Sequence, residues 1–157
     1  MYRRLMIVVD DDPASRAAVA EGLDLAKALG AEVLFFHVLP SPTVPVIASD
    51  MLPLGTLDLK AQDRQLQEWG GRILAEAAAL AKAQAVPSRG VMGHSEEAAT
   101  SIARAVEEQH CDLIVVGSHG RTALQRLIHG SLPASLLPLA PVPMLVCRVR
   151  DRPTATD

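Results

Sequence analysis

Four small residues carry the chemistry that can be read from this chain: Gly117, Gly120, Gly130 and Ser131. They are spaced Gly-x2-Gly-x9-Gly-Ser behind the apolar run Leu113-Ile114-Val115-Val116. Glycine at the end of a buried strand allows positive φ and lets backbone N–H groups approach a ligand with no Cβ in the way. Gly130-Ser131 stands just before a helical segment, where unpaired amides and the helix dipole favour an anion. The pattern predicts a phosphate cradle made of main-chain amides. Arg121, Arg126 and His129 lie within it and can neutralise phosphate charge or border a bridging Mg2+; a solvated loop face is the alternative. His119 reads as a hydrogen-bonded loop residue, His37 as structural, and His94 and His110 as surface residues.

This spacing, with a strand before and a helix after, resembles the nucleotide-binding signature of the universal stress protein family. Asp10, His37-Val38 and Pro141-Val142-Pro143-Met144-Leu145-Val146 also resemble that family, so the likeness covers residues 3 to 150. The resemblance implies ATP, with Mg2+, as a regulatory ligand in stress response. It implies that Gly120, Gly130, Ser131 and the amide of Leu132 hold the phosphates. Asp10 and Gly117, with Val116 before it, then lie by the ribose, and Val38 meets the adenine through its backbone. The resemblance further implies a homodimer in which the last strand, Val142 to Val149, pairs antiparallel with its copy. Two departures bear on the last helix: Pro133-Ala134 replaces a small-plus-acidic pair, and Pro138-Leu139 replaces a more polar end.

Elements must position these residues. Leu5 to Val9 is a continuous apolar run, as expected of a strand buried on both faces. Asp12-Pro13 supplies an N-cap and a first-turn proline. Val19, Leu23, Ala26 and Leu29 then line one helix face, and Gly30 ends it. Val33 to Val38 is the second strand, which completes a right-handed βαβ unit. Residues 39–57 hold Pro40, Pro42, Pro45 and Pro53 among apolar residues, so they predict a loop: a flap, a partner surface, or a segment folded onto the core. From Asp58 to Ala85 the pattern is helical, with Leu59, Leu66, Ile73 and Leu80 at seven-residue steps and Trp69 near that face. Gly70-Gly71 weakens this helix by roughly 1 kcal/mol per glycine and permits a bend.

A poor third strand over Val86 to Met92 suits a sheet edge. Ser95 is the expected cap of a helix over Glu96 to Gln109. A short helix over Leu132 to Leu139 and a last strand over Val142 to Val149 complete the pattern. The expected fold is an α/β doubly wound, five-stranded parallel sheet in the order 3-2-1-4-5, as one domain over residues 1–150 with a disordered tail over 151–157. In that order the ligand crevice lies between strands one and four, where Asp10 and Gly117 end.

Other readings are narrower. A length of 157 residues with 49% hydrophobic and 21% charged residues is globular, and a net charge of -3 gives no reason to expect nucleic-acid or membrane-surface binding. No apolar run reaches the length of a membrane span, which leaves a cytoplasmic location as the expectation. Cys111 and Cys147 read as reduced core thiols. Asp10-Asp11-Asp12 resembles the opening of a phosphoacceptor receiver domain, and Asp50 its phosphorylated aspartate. Residues 39–45, however, leave no room for the helix a receiver needs there. Neither a Gly-x4-Gly-Lys-Ser/Thr loop nor a Gly-x-Gly-x-x-Gly turn nor a nucleophile elbow is present, so no enzyme is expected beyond slow ATP hydrolysis or autophosphorylation. Ser118, Thr122 and Ser131 offer hydroxyls for such modification. The remaining alternative is an interaction module with an unused pocket.

Overall fold

Alternation along the apolar runs builds the two layers of this molecule. The computed structural model describes residues 1–40, 58–94, 97–118 and 131–149. In it, strands β1 (Arg4–Val8), β2 (Glu32–Leu39), β3 (Ser88–His94), β4 (Leu113–Ser118) and β5 (Met144–Arg148) form one sheet. Its order is β3-β2-β1-β4-β5, and every pairing is parallel. Leu5, Ile7 and Val9 point into one hydrophobic cluster with Val33, Phe35, Leu113 and Val115. Met6 and Val8 point into the other with Leu34, Phe36, Ile114 and Val116. Side chains in a strand face alternate sides, so a sheet covered on both faces needs apolar residues at every position.

Helices α1 (Pro13–Leu29) and α2 (Leu59–Ala83) cover the first face. Helices α3 (Ala98–Glu108) and α4 (Leu132–Leu136) cover the second. Each fully buried Leu, Ile or Phe in these clusters contributes about 1.5–3 kcal/mol relative to exposure. Asp12 caps α1, its Oδ1 accepting from the Ser15 amide at 2.7 Å. Gly30 ends α1 at φ 65°, a left-handed conformation that glycine adopts without a Cβ penalty. At the amino ends of β1 and β4, away from the crevice, the Asp112 carboxylate accepts from the amides of Arg3 and Arg4 at 2.7 and 3.1 Å.

Several boundaries differ from the sequence reading. The seven-residue stripe of α2 is not its buried face: Leu59 and Leu80 are 44% and 54% exposed. Of the stripe only Ile73 is buried, and it is joined by Gly70, Leu74, Ala77 and Ala81. A straight helix advances 3.6 residues per turn, so a strict seven-residue repeat drifts off one face over seven turns. The Gly70-Gly71 pair lies within one continuous helix of 25 residues. Helix α3 begins later than expected, its N-cap position being Glu97 with no side-chain cap bond, while Ser95 lies outside the described residues. Helix α4 stops at Leu136, two residues before Pro138. The loop 41–57 and the tail from Arg150 also lie outside the described residues.

Candidate functional site

The carboxyl ends of β1, β2 and β4 open into a cleft of ≈ 750 Å³, between the two helical layers. Its volume falls in the range of small-molecule sites. Of the residues singled out from sequence, Asp10, Val38, Val116, Gly117, Ser131 and Leu132 all line it. Gly120, Arg121 and Gly130, with His119, Thr122, Arg126 and His129, lie outside the described residues.

The turn from β1 into α1 is held by Ser15, which is buried. The Asp10 amide donates to Ser15 Oγ at 2.8 Å, and the Ser15 amide donates to Asp12 Oδ1. Asp10 Oδ1 accepts from the Asp11 amide at 2.8 Å, which holds the exposed Asp10 carboxylate at the cleft rim. At the cleft floor, Gly117 lies against the first turn of α1, and Ser131 is the N-cap residue of α4.

At Ser131 the donor supply is narrower than the motif suggests. Its hydroxyl oxygen accepts from the Ala134 amide at 3.4 Å, and its carbonyl accepts from the Ser135 amide at 3.1 Å. Pro133 has no N–H. Within this first turn the Leu132 amide remains as the donor with no intrahelical acceptor. That is the amide the family resemblance assigns to phosphate.

The other end of the cleft is aromatic and apolar. Val38, Pro40 and Trp69 line it together with His37. His37 Nδ1 lies 2.8 Å from the Val9 carbonyl oxygen, which can only accept, so Nδ1 carries the proton in the neutral ring. Nε2 is then a bare acceptor, buried and without a partner among the described residues. The Trp69 ring meets His37 edge to face, with centroids 5.3 Å apart and planes at 82°. Reading His37 as structural agrees with its lock on Val9. Ser15, Trp69 and Ile102 as cleft residues were missed from sequence; an isolated tryptophan one residue before a buried glycine was the available signal.

Both thiols are free and buried. Burial pushes the Cys111 thiol up to about 11, against smaller opposing effects of Arg4 and Arg89. Burial also raises Cys147, with Glu21 adding to it. Among the described residues no group of His, Cys, Asp and Glu is placed to hold a metal ion. No described helix is long and apolar enough to cross a membrane.

A family model described as "Universal stress protein family" matches residues 1–148. The chain is 28% identical over 157 aligned residues to universal stress protein MJ0531 of Methanocaldococcus jannaschii, covering 94% of this chain and 83% of that one. In solved structures, a family protein from Arabidopsis thaliana with AMP bound superposes with TM-score 0.70 at 17% identity, covering 99% of this chain and 97% of that one. A universal stress protein from Archaeoglobus fulgidus in complex with dAMP gives 0.65 at 16% identity, covering 93% and 98%. These two structural likenesses are likenesses of fold.

Proposed function

This chain belongs to the universal stress protein family, and from that premise we propose that its cleft binds an adenine nucleotide, ATP with Mg2+, as a regulatory ligand. One observation carries the reading: a single cleft spanning β1, β2 and β4 has a carboxylate, a hydroxyl and the first-turn amide of α4 at one end and apolar and aromatic groups at the other. A nucleotide has the same gradient, from phosphate through ribose to base. Adenine nucleotides bound to the structurally similar proteins above support the same ligand class.

In this reading the Leu132 amide, with Gly120, Gly130, Ser131 and Arg121, holds the phosphates. Asp10 and Gly117, next to Val116, meet the ribose. The backbone of Val38 meets the base. Mg2+ enters with the phosphates, since Mg2+ keeps most of its shell from water and phosphate oxygens. The nucleotide acts by differential binding: a ligand held only by the folded form stabilises it by mass action. At a hundred times Kd this amounts to about 2.7 kcal/mol, or several degrees in Tm for a chain of this size. The experiment is a thermal melt with and without Mg-ATP and AMP, beside analysis of nucleotide released on denaturing freshly purified protein. An unchanged Tm at millimolar nucleotide, with none released, sinks the reading.

A second reading rests on the sheet edge. Strand β5 pairs only with β4 among the described residues, and Leu145 and Val146 on it are 36% and 44% exposed. Leu137 and Leu139, just before it, are also exposed. An open apolar edge invites strand pairing. We read Val142 to Val149 as the homodimer contact, through which the stress response is relayed to partners.

A further inference from the structure

We propose that Trp69 is the wall against which the base of the ligand packs, and that it selects purine over pyrimidine nucleotides; this rests on the nucleotide reading above. The placement of the indole is fixed by a chain of contacts. At Gly70 a Cβ would lie 2.9 Å from both His37 Cδ2 and Leu39 Cδ2 and 3.1 Å from Met92 Sδ. The bare glycine therefore lets the backbone of α2 seat directly on the end of β2, and the neighbouring Trp69 comes to the cleft with it. His37, against whose ring Trp69 rests edge to face, is itself tied through Nδ1 to the carbonyl of Val9. The base wall is thus anchored to the strand end that precedes Asp10.

The direction of the ligand follows from sheet geometry. β2 and β4 flank β1 on opposite sides, so their ends stand about 10 Å apart at the usual strand spacing. That is the reach from a base across its ribose to the first phosphate. Gly117 and Ser131 occupy the β4 side and Val38 and Trp69 the β2 side, which sets the base on the indole. A flat bicyclic base covers more aromatic surface than a single ring, and base–aromatic contacts of this kind change affinity on the order of ten- to hundredfold.

Trp69 is the single tryptophan of the chain, so its fluorescence reports on this wall alone. The experiment titrates wild type, Trp69→Leu and Trp69→Phe with AMP, ATP and CMP by calorimetry, with wild-type fluorescence recorded in parallel. Expected results are a change in indole emission on AMP or ATP and tighter wild-type binding of AMP than CMP. Trp69→Leu should bind AMP about tenfold or more weakly and CMP by a smaller factor, so that the preference for AMP shrinks, and Trp69→Phe should fall between. Wild-type binding of AMP without preference over CMP, or equal AMP affinity in wild type and Trp69→Leu, overturns the role of Trp69 and leaves the nucleotide reading standing. No wild-type binding of any nucleotide overturns both. Circular dichroism checks the fold of each variant; Trp69→Phe keeps an aromatic ring and decides the matter should Trp69→Leu unfold.

Discussion

A Cβ placed on Gly117 would lie 2.1 Å from the carbonyl oxygen of Ala14 and 2.3 Å from its carbonyl carbon. The end of β4 and the first turn of α1 therefore meet backbone to backbone at the cleft floor. Neither side has a flexible chain end that can yield. Gly117→Ala must push α1 away from the sheet, and overpacking of this kind costs about 1–3 kcal/mol. Urea unfolding should show that loss, together with weaker nucleotide binding. A variant as stable as the parent would mean that the two backbones are not in contact.

Gly70 and Gly71 should respond in opposite directions to alanine. Nothing lies within 4 Å of a Cβ built on Gly71, so Gly71→Ala should gain the helix-propensity difference of about 1 kcal/mol. At Gly70 the same gain meets the clash with His37 and Leu39, and an overpacking cost of about 1–3 kcal/mol exceeds it. Thermal melts of the two variants should straddle the parent.

Ser15→Ala removes the acceptor of the Asp10 amide at 2.8 Å. A typical hydrogen bond of this kind contributes about 1 kcal/mol. The stability loss should be of that order, and ATP affinity should fall because Asp10 is no longer held at the rim. Unchanged affinity would detach Asp10 from the site.

Burial sets the reactivity of the two cysteines. With Cys111 raised to about 11 from an ordinary 9.0, the native protein keeps more protons bound than the unfolded chain between those values. Stability is then unaffected below about pH 9 and falls as pH rises towards 11. A thiol reagent at neutral pH should label both cysteines only after denaturation. Rapid labelling of Cys111 in the native state would contradict its burial.

A lysine at Val146 places a charge on the open β5 edge and should shift a dimer to monomer in light scattering, with the melting temperature lowered at concentrations where the parent is dimeric. A dimer that survives Val146→Lys and Leu145→Lys together would move the contact elsewhere.

The layered architecture is legible in the sequence because a strand covered on both sides must be apolar nearly throughout, and Leu5–Val9, Val33–Phe36 and Leu113–Val116 are. Asp12-Pro13 and Gly30 marked the ends of α1 for equally local reasons. The strand order was the expectation of a doubly wound pattern of strands and helices, and within that order the crevice rule brought Asp10 and Gly117 to one site. The buried face of α2 followed only in part: the seven-residue stripe held Ile73, while contact with β2 and β3 selected Gly70, Leu74, Ala77 and Ala81 beside it.

What the sequence alone determined is the set of elements, both ends of α1 and the kind of anion chemistry that glycines permit, since backbone propensity and apolar period act within a few residues. Only the tertiary structure separated Gly70 from Gly71 and brought Trp69 to His37. Two neighbouring glycines are identical to any local rule; one packs against the end of β2 and the other faces open space, and that difference exists only once distant segments share a wall.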